Sequence, residues 1–243
     1  MKALLLAAGM GSRLRPITET LPKCLVPIAG RPLLEFWLEL LGPHESCSEI
    51  IINTHYMPEK VRECVAQNPY RKKISLAHET ALLGTGGTLI QNLPRLKGTD
   101  TLVAHADNLT LFDLTEFQRA FTLRPTNCVA TMMSFKTDSP QTCGILEIDG
   151  HGVVHRFHEK IANPPGDLAN GAVFLFGNEA LSIIGAIDSS PPLDISRDIM
   201  PMLLGRINTW KNDIYHRDIG NPTALAAAQT DFPDIYLRFR GNL

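Results

Sequence analysis

The rhythm of apolar and polar positions changes partway along the chain. Up to about residue 110, short uninterrupted hydrophobic runs alternate with segments of helical spacing. Residues 2–8 (Lys-Ala-Leu-Leu-Leu-Ala-Ala) read as a strand covered on both faces, and Glu49–Thr54, 74–79 and 101–106 read as three more. Between them, 32–41 predicts a helix with Leu33, Phe36, Trp37, Leu40 and Leu41 on its buried side. Pro58–Gln67 predicts a second helix opened by Pro58 at its first position, and 87–92 a short third. Apolar strands alternating with helices predict an α/β fold, Rossmann-like, with a mostly parallel central sheet flanked by helices.

Beyond residue 126 strands dominate: 127–135, Gly144–Ile148, 153–158 and 171–176, the middle two joined as a hairpin by Asp149-Gly150-His151-Gly152. Helices return at 195–204 and 222–229, the latter with Asn221 as N-cap and Pro222 at the first position. The second half therefore predicts a mixed sheet. Pro164-Pro165-Gly166-Asp167 is too short for an interdomain tether, so residues 1–243 read as one domain with halves at 1–126 and 127–243.

Length and charge narrow the classes of function. A chain of 243 residues buries about 70% or more of its unfolded surface and needs no cross-links. Its 23 Lys+Arg against 25 Asp+Glu, and a pI of about 6.4, argue against a nucleic-acid-binding surface, which usually requires a pI above ~9. Its apolar runs are strand-sized, far below the ~20 residues a membrane helix needs. The N-terminus is followed by Arg13 and Arg15 and has no small-residue cleavage site, which argues against export. Five cysteines without a C-x-x-C pair read as reduced thiols of a cytoplasmic protein, and the eight histidines have no zinc spacing; His155 and His158 read as surface or core residues.

One segment departs from the slightly acidic whole. Between residues 2 and 31 stand Lys2, Arg13, Arg15, Lys23 and Arg31 against a single acid, Glu19. Gly9 and Gly11 directly follow the first strand, where glycines let backbone N–H groups form a nest for phosphate. Alone, the pair reads more readily as a turn with solvated charges. A Walker A loop is absent, and Leu14 stands where the dinucleotide fingerprint needs its third glycine, with Pro16 where its helix would be under way. That excludes a nicotinamide-dependent dehydrogenase.

The segment Leu6-Ala7-Ala8-Gly9-Met10-Gly11-Ser12-Arg13-Leu14-Arg15-Pro16-Ile17-Thr18, with Pro22-Lys23, Pro27 and Gly30-Arg31-Pro32 at their spacing, resembles the signature of the sugar-1-phosphate nucleotidyltransferases. Ala8 and Ser12 depart from that family's usual glycine and threonine. The resemblance implies that Ala8, Gly9, Gly11, Ser12, Arg13 and Lys23 bind the nucleotide triphosphate, Arg13 and Lys23 being catalytic. Leu83-Gly84-Thr85-Gly86-Gly87-Thr88 is similar to the stretch that meets the nucleobase, which implies roles for Gly84, Thr85, Gly86 and Gly87; alone it reads as a helix start.

Asp107 follows an apolar strand, and Asp218 lies in Asp-Ile-Gly-Asn-Pro, similar to the family's D-I-G-T-P; the resemblance makes this pair the ligands of Mg2+. A hard cation held by one or two carboxylates plus phosphate oxygens suits that pair, although Asp107 also reads as the cap of a helix starting near Phe112. For the sugar phosphate the resemblance implies Asn108, Gly144, Glu159, Lys160, Asn170 and Gly171, in a mixed-sheet sugar-binding extension of the nucleotide-diphospho-sugar transferase type. Glu159-Lys160 alone reads as a solvated hairpin end, and Ile161 replaces the family's proline.

The implied reaction joins an NTP and a sugar 1-phosphate into an NDP-sugar and pyrophosphate. The motif form is closest to mannose- and heptose-1-phosphate guanylyltransferases and N-acetylmuramate-1-phosphate uridylyltransferases, and the rival reading is a non-catalytic subunit that senses a nucleotide sugar. Base, sugar, a homo-oligomeric state and the role of residues 231–243 stay open at this point.

Overall fold

The computed structural model describes residues 1–188 and 190–241. In chain order the elements begin with β1 Lys2–Leu6, β2 Pro27–Ile28, β3 Arg31–Pro32, α1 Leu33–Leu41, β4 Glu49–Thr54, α2 Pro58–Gln67, β5 Ile74–His78, α3 Gly84–Leu96, β6 Thr101–His105 and β7 Asn108–Leu111. They continue with α4 Leu114–Thr122, β8 Ala130–Lys136, β9 Gly144–Ile148, β10 Val154–Glu159, β11 Leu168–Phe176, α5 Asn178–Gly185, α6 Met200–Leu203, β12 Ile207–Lys211, β13 Tyr215–Asp218 and α7 Pro222–Gly241. The fold is α/β, a mixed central sheet flanked by helices, as the alternation predicts. No helix among the described residues is long and apolar enough to cross a membrane.

The chain folds into two compact units whose segments interleave. The first comprises residues 3–82, 105–112 and 214–243; the second comprises 1–2, 83–104 and 113–213. In the first unit β4 and β5 pair in parallel, from Ile50 opposite Ile74 to Thr54 opposite His78. Helix α1 buries Leu33, Leu34, Phe36, Trp37, Leu38 and Leu41, whereas Leu40 is only half-buried. Two further strands, β7 and β13, form an antiparallel ribbon with Tyr215 opposite Leu111 and Asp218 opposite Asn108. Trp37 donates its indole N–H to the Asn108 carbonyl at 2.9 Å, fixing the start of β7 against α1.

Helix α7 runs on past residue 229 to Gly241, through Pro233. Asn221 caps it as predicted, its Oδ1 accepting from the Ala224 N–H at 2.9 Å. The helix extends because its far half is packed: Phe232 is fully buried in a cluster with Leu14, Val26, Phe36, Leu109 and Tyr215, and Ile235, Tyr236 and Phe239 pack against that cluster. The stretch from 231 is thus a packing element as far as 241; Asn242 and Leu243 lie outside the described residues.

A polar clasp closes the same packing. Arg31 donates to Glu39 Oε2 and to the Tyr236 hydroxyl, each at 2.9 Å, Tyr236 donates to Glu39 at 2.7 Å, and Arg240 reaches Glu39 at 3.1 Å. Partial burial pushes the Glu39 carboxyl upward, but Tyr236 and Arg31 outweigh it and hold it below the ordinary value. Its stabilisation is therefore complete above about pH 4.5 and fades as pH falls through the lower folded value. Glu39→Gln is expected to cost about 1 kcal/mol at pH 7 in urea unfolding, with the difference shrinking below pH 4. A gap that widens on acidification would contradict this.

In the second unit β11 pairs antiparallel with β6, with β8 and, at Ala169 opposite Ile145, with β9, while β12 adds to β8 in parallel. The predicted hairpin joins β9 to β10, Asp149 Oδ1 accepting from the His151 and Val153 N–H groups. Beside a register shift between Val154 and Arg156, His155, Arg156 and His158 lie around Glu147, at 4.0, 3.9 and 2.6 Å, so the two histidines sit in a polar surface cluster. Residues 195–204 are less regular than predicted: a wide π turn at Ile195–Ile199 leads into α6. Helix α5 is not among the predicted elements, and α4 begins at Leu114, close to the Phe112 start supposed in the alternative reading of Asp107. Asp113, not Asp107, caps α4, its side chain accepting from the Glu116 N–H.

Candidate functional site

The first unit assembles the turn that is expected to hold phosphate. β1 ends at Leu6, and Ala7 and Ala8 remain buried. The Ala7 N–H donates to Asn53 Oδ1 at 2.6 Å, and the Asn53 amide donates to Glu79 Oε1 at 2.9 Å. The chain then surfaces: Gly9, Ser12 and Arg13 are exposed, with Ser12–Leu14 forming one 3-10 turn. Gly11 has φ +63°, and a Cβ there would lie 2.9 Å from both Lys23 Cβ and Thr18 Cγ2, so only glycine lets the turn lie this close to Lys23. Thr18 holds it there by donating its hydroxyl to the Gly11 carbonyl at 2.7 Å, and the Thr18 carbonyl in turn accepts from Tyr56 at 2.9 Å.

Lys23 is the centre of the site. It opens the short turn Lys23–Leu25, its side chain only 8% exposed, with Nζ 2.8 Å from Asp107 Oδ2 and 3.3 Å from Asp218 Oδ1. The β7–β13 ribbon brings these carboxylates together, because Asp218 pairs with Asn108, the residue that follows Asp107. Burial works against the charge on Lys23, but Asp107 and Asp218 outweigh it and hold its pKa above the usual lysine value. Burial also pushes the Asp107 carboxyl upward, and Lys23, aided by His105, holds it below the usual range. At neutral pH the pair is ammonium and carboxylate.

Arg13 belongs to the same cluster. A Cβ on Gly220 would fall 2.8 Å from Asp218 Oδ2 and 3.0 Å from an Arg13 guanidinium nitrogen, so Gly220 leaves the space that both groups flank. Ala8, Gly9, Gly11, Ser12, Arg13, Lys23, Asp107, Asn108 and Asp218 thus lie in one unit, with Asp107 and Asp218 on the buried Lys23 ammonium and Gly11 against its stem. Asn108 is itself buried, with its carbonyl taken by Trp37.

Two carboxylates that converge on one cation fit a hard divalent ion. Among the described residues no three His, Cys, Asp or Glu side chains are grouped for a metal. An ion held by Asp107 and Asp218 would complete its shell with water and phosphate oxygens, the arrangement that magnesium favours over an all-protein cage.

The second unit holds the remaining predicted residues in two places. Gly84, Thr85, Gly86 and Gly87 form the first turn of α3. Gly84 has φ +74°, and a Cβ there would lie 2.2 Å from the Leu193 carbonyl oxygen. That oxygen accepts from the Gly86 and Gly87 N–H groups at 2.8 and 3.3 Å, which leaves the Gly84 and Thr85 N–H groups unengaged among the described residues.

The second place lies where β9, β10 and β11 meet. Gly144 is opposite Glu159, and a Cβ on Gly144 would lie 2.7 Å from Glu159 Oε2 and 2.5 Å from the Phe157 ring. Ala169 opposite Ile145 sets Asn170 beside Gly144. Asn170 Oδ1 accepts from the Ala172 N–H at 2.8 Å, which shapes the irregular stretch of β11 that carries Gly171. Lys160, with φ +50°, donates its N–H to the Cys143 carbonyl at 3.2 Å, and its exposed ammonium lies 3.3 Å from Glu159 Oε1. Gly144, Glu159, Lys160 and Asn170 therefore lie together, and Gly171, buried against Met133, follows Asn170 on β11.

The sequence reading left out Asn53, Glu79 and Gly220. Gly220 is legible from its place in Asp-Ile-Gly; Asn53 and Glu79 carry no local signal, because they act through bonds to distant backbone.

Comparison with known proteins places these residues in context. Residues 2–234 match the family described as Nucleotidyl transferase. A mannose-1-phosphate guanyltransferase of Pichia angusta is 28% identical over 91% of this chain and 61% of its own length. That of Saccharomyces cerevisiae is 26% identical over 91% of this chain and 62% of its own. The chain thus spans less than two thirds of these relatives. Among solved structures, HddC from Yersinia pseudotuberculosis complexed with GMP-PN superposes with a TM-score of 0.78 at 23% identity, covering 95% of this chain and 99% of that one.

Proposed function

This chain belongs to the nucleotidyl transferase family, and from that premise we propose that it joins an NTP to a sugar 1-phosphate, releasing pyrophosphate and an NDP-sugar. The observation that carries the reading is the buried Lys23 ammonium, held against the Gly11 turn by Asp107 and Asp218. A buried cation beside an exposed glycine turn and a guanidinium suits a polyphosphate better than any neutral ligand. The relatives named as mannose-1-phosphate guanyltransferases favour GTP and mannose 1-phosphate as the substrates.

The chemistry asks little of the protein beyond placement and charge. A phosphate monoester with a second pKa of about 6 is mostly dianionic at neutral pH, so the attacking oxygen needs no general base. Two anions must nevertheless meet, and the attack on the α-phosphorus adds charge to its oxygens. Lys23 and Arg13 supply positive charge beside the turn, and the turn's N–H groups orient the triphosphate. Asp107 and Asp218 would hold magnesium, which when bound screens the phosphate charge and supports the departing pyrophosphate. Glu159 accepts bonds from sugar hydroxyls, Lys160 meets the sugar's phosphate, and Asn170 with the backbone at Gly144 and Gly171 lines the sugar.

The test is pyrophosphate release from a matrix of four NTPs and several sugar 1-phosphates with Mg2+. GTP with mannose 1-phosphate is expected to give the highest rate. No release from any pair would overturn the reading in favour of a non-catalytic nucleotide-sugar sensor.

A further inference from the structure

The first turn of α3 is held from outside by the segment 193–195. The Leu193 N–H donates to the Leu83 carbonyl at 2.9 Å, and the Leu193 carbonyl accepts from Gly86 and Gly87. The Thr85 hydroxyl donates to Asp194 Oδ2 at 3.0 Å and accepts from the Ile195 N–H at 2.8 Å. The other Asp194 oxygen accepts from the Ser196 and Arg197 N–H groups at 2.8 and 3.2 Å, and the Asp194 N–H donates to Asp198 at 2.6 Å. One carboxylate thus fixes the turn Ile195–Ile199 with one oxygen and grips Thr85 with the other.

A helix start that offers its N–H groups to a ligand cannot use those groups to fix its own orientation. Here the Leu193 backbone holds the later residues of the turn, and at Thr85 itself the orientation comes from a side chain. Thr85 is the residue whose hydroxyl is gripped, and its own N–H, with that of Gly84, is left to a ligand. Any rotation of the turn that re-aimed those donors would break the Thr85–Asp194 bond and the Ile195 bond together.

We propose that Asp194 is a positioning residue for the nucleotide: acting through the Thr85 hydroxyl, it aims the Gly84 and Thr85 N–H groups at the edge of the nucleobase. This rests on the proposed nucleotidyl transfer. Asp194 touches no substrate, and its influence falls on nucleotide affinity rather than on turnover.

Thr85→Val is the direct test, because it removes the hydroxyl at nearly constant volume and leaves Asp194 capping Ser196 and Arg197. Thr85→Ser retains both bonds. Calorimetric binding of each of the four NTPs to wild type and variants, with KM for NTP and for sugar 1-phosphate, separates the outcomes. Thr85→Val is expected to bind the preferred NTP about tenfold more weakly, with kcat and the sugar-phosphate KM near wild type and with Thr85→Ser restoring affinity. Should Thr85→Val not fold, Asp194→Asn, which keeps an oxygen for the cap and disrupts the grip on Thr85, carries the same expectation. Unchanged NTP affinity in the variant overturns the inference alone, as does weak binding by both Thr85→Val and Thr85→Ser. A wild-type protein that binds none of the four NTPs overturns this inference and the proposed function together.

Discussion

Replacing Lys23 with alanine is expected to lower turnover by about a hundredfold or more, the scale of losing one preorganised charge donor at a reacting phosphate. The side chain is nearly enclosed and pairs with both Asp107 and Asp218, a buried position that the exposed Arg13 nearby does not fill. The same change leaves Asp107 and Asp218 facing each other without the ammonium between them. Metal-free protein should therefore melt at a lower temperature, and Mg2+ should recover more of the loss in the variant than it adds to wild type, because a ligand that binds the folded state stabilises it. Steady-state pyrophosphate release and thermal melts with and without Mg2+ read both effects. Turnover within tenfold of wild type would remove Lys23 from the chemistry.

Phe232→Ala is expected to cost about 3–5 kcal/mol of stability, measured by urea unfolding. The ring is fully buried and lies edge-on to Phe36 at 4.9 Å and to Tyr215 at 5.3 Å, and stacked on Tyr236 at 5.5 Å. Its removal leaves a cavity whose walls belong to helices and strands that cannot all close in. Tyr215 stands on the strand that ends at Asp218, and Phe36 precedes the tryptophan bonded to Asn108. The carboxylate pair should loosen with the core, and activity should be lost on warming before the bulk of the protein unfolds. A cost below ~1 kcal/mol would mean that the helix carries little of this unit's stability.

The residues that were legible in advance are those whose chemistry is local. Gly9, Gly11, Arg13 and Lys23 stand together in one short segment that resembles a family signature, and β1, β4, β5 and β6 are visible as short, largely apolar runs. What escaped depends on partners far along the chain. β13 reads Tyr-His-Arg-Asp, four residues with little hydrophobic pattern, and is a strand because β7 lies alongside it. The Pro233 that argues for a helix end is overridden by burial of Phe232. The start of helix α4 is legible near Phe112, and its true cap is legible too, since Asp113 and Glu116 stand at capping-box spacing. At Gly84–Gly87 the glycines are visible in sequence, but the Leu193 carbonyl that engages two of their N–H groups is more than a hundred residues away.

Lys23 is separated from Asp107 by 84 residues and from Asp218 by 195. During synthesis the ammonium therefore emerges long before either counter-charge, and the cluster closes only after the ribosome has passed residue 218. A nascent chain halted before that point would carry the complete glycine turn and still lack a finished site, so binding competence is expected to arise late and abruptly in translation rather than in step with chain growth.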